Sequence, residues 1–87
     1  MAAPVLSTTT PATLTKMMVG VVNFRWVSHT GSAGDHCVVT DINGNVLFES
    51  YAQGIDFIDA QRFDPIPLVN GLIVSIIDSG TIYVEYK

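Results

Sequence analysis

From Met17 onward, apolar residues recur in short runs and in alternation, without the three-to-four spacing of an amphipathic helix. Clusters of turn-forming residues separate these runs, so the pattern predicts strands throughout. MMVGVVNFRWVSH (17–29), rich in Val, Phe and Trp, predicts one long strand, and Gly20 within it predicts a bulge or a crossing point. TGSAGD (30–35) is a turn by composition. HCVVTDI (36–42) is apolar on both faces and predicts a central strand. NGN (43–45) supplies the positive-φ freedom of a tight hairpin leading into VLFESYA (46–52).

The stretch 53–71 carries two prolines and two glycines and reads as a long connection with a short strand around Ile55–Ile58. Asp64 and Ile66 precede prolines and are held extended. LIVSII, DSG and TIYVEYK predict a second hairpin that closes the chain, with Gly80 at a left-handed position. In the last strand Ile82, Val84 and Tyr86 alternate with Tyr83, Glu85 and Lys87, giving one core face and one outer face. Several short strands at this spacing predict an all-β fold, a small antiparallel β-sandwich or barrel.

Residues 1–16, MAAPVLSTTTPATLTK, lack any apolar period. They read as an extended N-terminal arm, and residues 17–87 as a single β domain. Pro4 and Pro11 keep the arm out of a helix and hold the residues before them extended. Such an arm suits strand addition to the sheet edge of a partner, with Val5–Thr9 or Thr13–Lys16 pairing and Leu6 and Leu14 filling pockets.

The chain has 87 residues and one cysteine, so no internal disulfide supports its small core. It is 48% hydrophobic and only 14% charged, which points to apolar surface covered by another chain and to a homo-oligomer. Four basic residues are scattered through a chain of net charge −4, which argues against direct nucleic-acid binding. The apolar runs are too short for a membrane helix, and the N-terminus lacks the pattern of a secretory signal, so synthesis in a reducing cytoplasm is expected. Cys37 then reads as a small buried hydrophobe.

Candidate chemistry is sparse, and no cofactor or metal is expected. Asp35, His36 and Cys37 are possible ligands, with His29 across the turn, but consecutive strand residues point to opposite faces and cannot converge on one ion. Cys37 with either histidine lacks an accompanying oxyanion hole, so catalysis is not expected. Asp56, Asp59 and Asp64 lack the dense oxygen spacing of a calcium loop. Trp26 beside Arg25 has the make-up of an interface anchor, although a lone strand tryptophan more often packs in the core.

FRWVSHTGSAGDHCVVTDINGNVLFES (24–50) and PIPLVNGLIVSIIDSGTIYVEYK (65–87) resemble short β-rich virion structural proteins of tailed bacteriophages, of the capsid cement or decoration type. The likeness lies in the RWVS strand end, the GD turn, the TDxNGxVLFES hairpin, VNGL and the closing DSGxxYxEYK segment. It implies a non-enzymatic protein on the capsid surface of the virion, binding the major capsid protein and tying neighbouring coat subunits together. Pro4, Val5, Leu6, Pro11, Leu14 and Trp26 are then the expected partner contacts. The alternatives are a head-tail connector component, or a receptor- or carbohydrate-binding module that stacks ligands on Trp26, Tyr51, Tyr83 and Tyr86.

Overall fold

A computed structural model describes residues 5–87, and every regular element in it is a strand. The strands are β1 (Val5–Thr8), β2 (Ala12–Ser28), β3 (His36–Thr40), β4 (Val46–Tyr51), β5 (Phe57–Arg62), β6 (Leu68–Ile77) and β7 (Thr81–Tyr86). They form one antiparallel sheet in the order β1-β7-β2-β6-β3-β4, with β5 also on β2. The all-β antiparallel architecture read from the sequence is therefore present.

β2 is 17 residues long and belongs to both halves of the sheet. Its first part, Ala12 to Gly20, pairs with β6; its second part pairs with β7 from Val21 and with β5 from Asn23. The chain changes partners at Gly20, whose N–H and C=O bond the Lys87 backbone at 3.1 and 2.7 Å. A methyl placed there would meet Ile66 Cγ2 at 3.1 Å and press that side chain aside, so glycine lets the crossing pack closely. Because β2 bends across, the half β1-β7-β2-β5 faces the half β2-β6-β3-β4, as in a sandwich.

The core lies between the halves. Phe24 from one stacks on Phe48 from the other at 5.4 Å between ring centroids. Val39, Leu72, Val74, Ile82 and Val84 are fully buried around them. Each such side chain contributes roughly 1.5–3 kcal/mol through the surface removed from water. β3 is flanked by β4 and β6 and buried on both faces, which makes it the central strand its sequence predicts. On the open side, Ser50 Oγ on β4 donates to Asp59 Oδ2 on β5 at 2.6 Å and ties the halves together.

Gly44 has φ of +85° in the β3–β4 turn, and Asp41 organises that turn. Its carboxylate accepts from the N–H groups of Asn43 and Asn45 and from Asn45 Nδ2, each at 2.9 Å. The side-chain bond from Asn45 is the leading cause that lowers the Asp41 pKa below the usual aspartate value. A carboxyl whose pKa is depressed by folding stabilises the fold above its unfolded pKa, near 3.9, and loses that contribution as pH falls through the folded value. Asp41→Asn is therefore expected to melt at a lower temperature than the parent at pH 7, with the gap narrowing as pH drops from about 5 toward 2. Thermal melts across that range measure it; a constant gap would mean that the charge on Asp41 does not hold the turn.

Three sequence expectations need correction. The closing segment is not a hairpin: β6 pairs with β2 and β3, whereas β7 pairs with β1 and β2. The DSG turn at 78–80 carries the chain from one half of the sheet to the other, because Ile77 and Ile82 both point into the shared core. The strand placed around Ile55–Ile58 instead runs from Phe57 to Arg62, with Asp56 in a positive-φ turn ahead of it, and β6 begins earlier than expected, at Leu68.

The third correction concerns the arm. Residues 5–8 and 12–16 are extended, on either side of a bend at 9–11, but their partner is their own domain. β1 lies antiparallel on the outer edge of β7, with Leu6 opposite Val84, and residues 12–16 open β2, so the expected boundary after Lys16 falls inside a strand. Leu6 and Leu14 pack against the core. The edge of β7 offers a row of unpaired backbone groups, and two leucines on the adjoining segment gain by turning inward.

Candidate functional site

The expected partner contacts are spread over different parts of the molecule. Pro4 lies outside the described residues. Val5 is exposed at the end of β1, Leu6 and Leu14 are half-buried against the core, and Pro11 sits in the bend joining β1 to β2. Trp26 is fully buried, and its Nε1 donates to the Ser79 carbonyl at 2.8 Å while Phe57 packs edge-on at 5.7 Å. It holds the 78–80 turn in place and offers no surface for a partner, so its assignment as a contact is corrected to a core role.

The aromatic platform required by the carbohydrate-binding reading is likewise not assembled. Tyr51 stacks on His36 at 4.1 Å, Tyr83 lies beneath Arg25, and Tyr86 packs toward the core. Trp26, which would have anchored the row, is inside.

The candidate chemical groups are held in structural roles. Cys37 is buried, and burial pushes its thiol up to about 12, leaving it protonated and a poor nucleophile at neutral pH. His36 leaves β3 on the opposite face, where its Nε2 lies 2.8 Å from Glu49 Oε2. Asp35 Oδ2 accepts from the Ser32 N–H at 3.0 Å, and that bond is the main reason its pKa is lowered. Asp56 pairs with His29 at 3.2 Å, and Asp59 is engaged by Ser50. Among the described residues no three His, Cys, Asp or Glu side chains converge as metal ligands.

What the sequence pattern did not single out is an apolar surface at the N-terminal half of β2. Met17 and Leu68 are each 73% exposed and Met18 is 62% exposed. β2 slips register against β6 between Thr15 and Met18, which leaves Lys16 and Met17 in a bulge next to Met18. Met18 lies opposite Asn70 and Gly20 opposite Leu68 on the same outer face, and Ile66 covers Gly20. Ile42, also exposed, donates its N–H to Asn70 O at 2.9 Å and lies over Gly71 beside the Thr15–Lys16 backbone. The signal in the sequence was the Met17–Met18 pair, whose neighbours arrive from 42 and 66–68.

Beside this patch the backbone is open. Among the described residues, β2 from Ala12 to Val19 has β6 along one edge and no strand along the other, because β7 ends at Tyr86 opposite Val21. Apart from the Met17 N–H, which donates to Thr15 Oγ1 at 3.1 Å, that edge has no strand partner among the described residues and borders the exposed methionines. Such an edge accepts an added strand, and the apolar side chains next to it supply the surface that makes the addition favourable.

Fold and surface together define a two-layer antiparallel β domain with an exposed apolar patch at an open strand edge. Comparison with protein-family models, curated proteins and solved structures found no match to the chain.

Proposed function

We propose that the protein is a non-enzymatic virion structural protein of a tailed bacteriophage, a capsid cement that binds the assembled head and stabilises contacts between coat subunits. The observation that carries the reading is the apolar patch of Met17, Met18, Leu68, Ile66 and Ile42 at the open edge of β2. A small domain gains nothing from leaving such side chains in water, and their loss from water on docking is a source of adhesion. The resemblance of 24–50 and 65–87 to small phage β proteins supplies the setting. In this reading the patch and the β2 edge, in place of a free N-terminal arm, meet the major capsid protein, and the cement forms a homo-oligomer around a local symmetry axis of the head.

Met17→Glu and Leu68→Glu test it. Both side chains are mostly exposed, so the substitutions are expected to leave the melting temperature within about 2 °C of the parent. Each is expected to weaken co-sedimentation with heads lacking the protein by tenfold or more, since a charge in an apolar contact must be desolvated. The parent is also expected to raise the temperature at which heads release DNA. Undiminished binding by both variants, or equal release temperatures with and without the protein, would overturn the reading.

A further inference from the structure

The outer face of the half-sheet β1-β7-β2-β5 carries a second surface, of opposite character to the apolar patch. Strand register places Val5, Glu85, Asn23 and Arg62 in one row across the four strands, and Ser7, Tyr83, Arg25 and Ala60 in the next. Between the rows is a shallow depression of about 310 Å³. Arg25 and Arg62 both line it, two of the four basic residues in a chain of net charge −4. Neither guanidinium has a carboxylate partner among the described residues, where the close ion pairs are His29–Asp56 and His36–Glu49.

Both arginines are held in position. The Arg25 guanidinium lies over the Tyr83 ring, 4.8 Å from its centroid, which leaves its N–H edge free for a planar acceptor. Arg62 is opposite Asn23, whose Nδ2 donates to Glu85 Oε1 at 3.2 Å and so engages the one carboxylate of the row, on β7. Because Arg25 pairs with Ala60 and Arg62 with Asn23, the two arginines are diagonal neighbours on adjacent strands, a relation that separates residues by about 7–8 Å, with Cβ atoms somewhat closer. Carboxylates two residues apart on one face of an extended chain are separated by about 6.5–7 Å. The spacings match.

We propose that this face binds an acidic, extended segment of a partner protein, with Asp or Glu at alternate positions meeting Arg25 and Arg62. Bidentate arginine–carboxylate contacts give direction and register, and a planar fork suits carboxylate in a way that a lysine would not. Glu85, which lines the depression on the β7 side, sets the selectivity: it repels a carboxylate placed one strand further toward β7, and so fixes where the segment lies. The proposal concerns a face separate from the apolar patch, and its test needs no viral particle.

The probe is the blocked pentapeptide Glu-Thr-Glu-Thr-Glu, titrated into isotope-labelled full-length protein and followed by NMR. Saturable shifts are expected at the Arg25 and Arg62 side-chain Nε–H groups and at the backbone of Asn23 and Tyr83, and the peptide with Gln for Glu is expected to give none. R25Q and R62Q should each weaken binding at least threefold, and the double variant should abolish saturation. Both side chains are exposed, so these proteins remain folded. E85Q should tighten binding two- to threefold, whereas K16Q, on the other half of the sheet, should leave it unchanged. The proposal is overturned by absence of saturable shifts, by K16Q weakening binding as much as R25Q, or by inorganic phosphate or single-stranded DNA producing the same shifts at equal concentration, which would make the face a general anion site.

Discussion

Gly80→Ala is expected to cost this protein a large part of its stability, about 3 kcal/mol or more. Gly80 has φ of +76° in the turn that carries the chain from one half of the sheet to the other. A Cβ there would overlap the Val27 carbonyl oxygen and come within 2.7 Å of Ser28 Cα, so the obstruction is backbone and cannot rotate away. The surroundings are fixed as well: Ser28 and Ser79 share a 2.6 Å hydrogen bond, and the Ser79 carbonyl holds the indole of Trp26. Relief requires moving β7 away from β2, which would open the core at Trp26 and Ile82. Small domains have stabilities on the order of 5–15 kcal/mol, so the variant should unfold at markedly lower urea and lose the near-ultraviolet signal of its tryptophan. A midpoint within 0.2 M of the parent would show that the turn is free to relax.

Deletion of residues 1–16 is expected to have a comparable effect, on the order of 3–5 kcal/mol. The deletion removes β1 from the edge of β7 and the opening of β2 from its pairing with β6. It also removes Leu6 and Leu14, which cover part of the core, and leaves Val74 without its cross-strand neighbour Ala12. Urea unfolding of the truncated chain measures this directly. An unchanged midpoint would mean that residues 5–16 make no stabilising contact with the domain and are free to serve another chain. A shorter deletion ending at Thr8 separates the contribution of β1 from that of β2, and is expected to show the smaller loss of the two.

These expectations locate the division between local and tertiary information. Where a feature depends on neighbours in the chain, it was legible. Asn43-Gly44-Asn45 between two apolar stretches specifies a hairpin because positive φ and short polar side chains are local requirements, and Asp41 caps the turn from two residues away. HCVVT reads as central because it is apolar on both faces, and Gly20 reads as a crossing because a strand rarely tolerates glycine without a close approach behind it. The opposite directions of His36 and Cys37, which keep them from sharing a ligand, follow from the alternation of a strand.

What the sequence by itself determined was the all-β class, the turns, and the alternation of core and outer faces, since each is set within a few residues by backbone sterics and side-chain polarity. Only the tertiary structure decided which strand lies beside which. DSG at 78–80 has the same composition whether it joins a hairpin or crosses between sheet halves, and the outcome depends on β2 occupying the place between β6 and β7. VLST at 5–8 can add to any open edge, and it is β7 that provides one within the same chain. The apolar patch and the Arg25–Arg62 face are products of that arrangement. Their members come from segments that are distant in the chain, and strand pairing, a long-range choice made by burial of the whole core, is what brings these segments together.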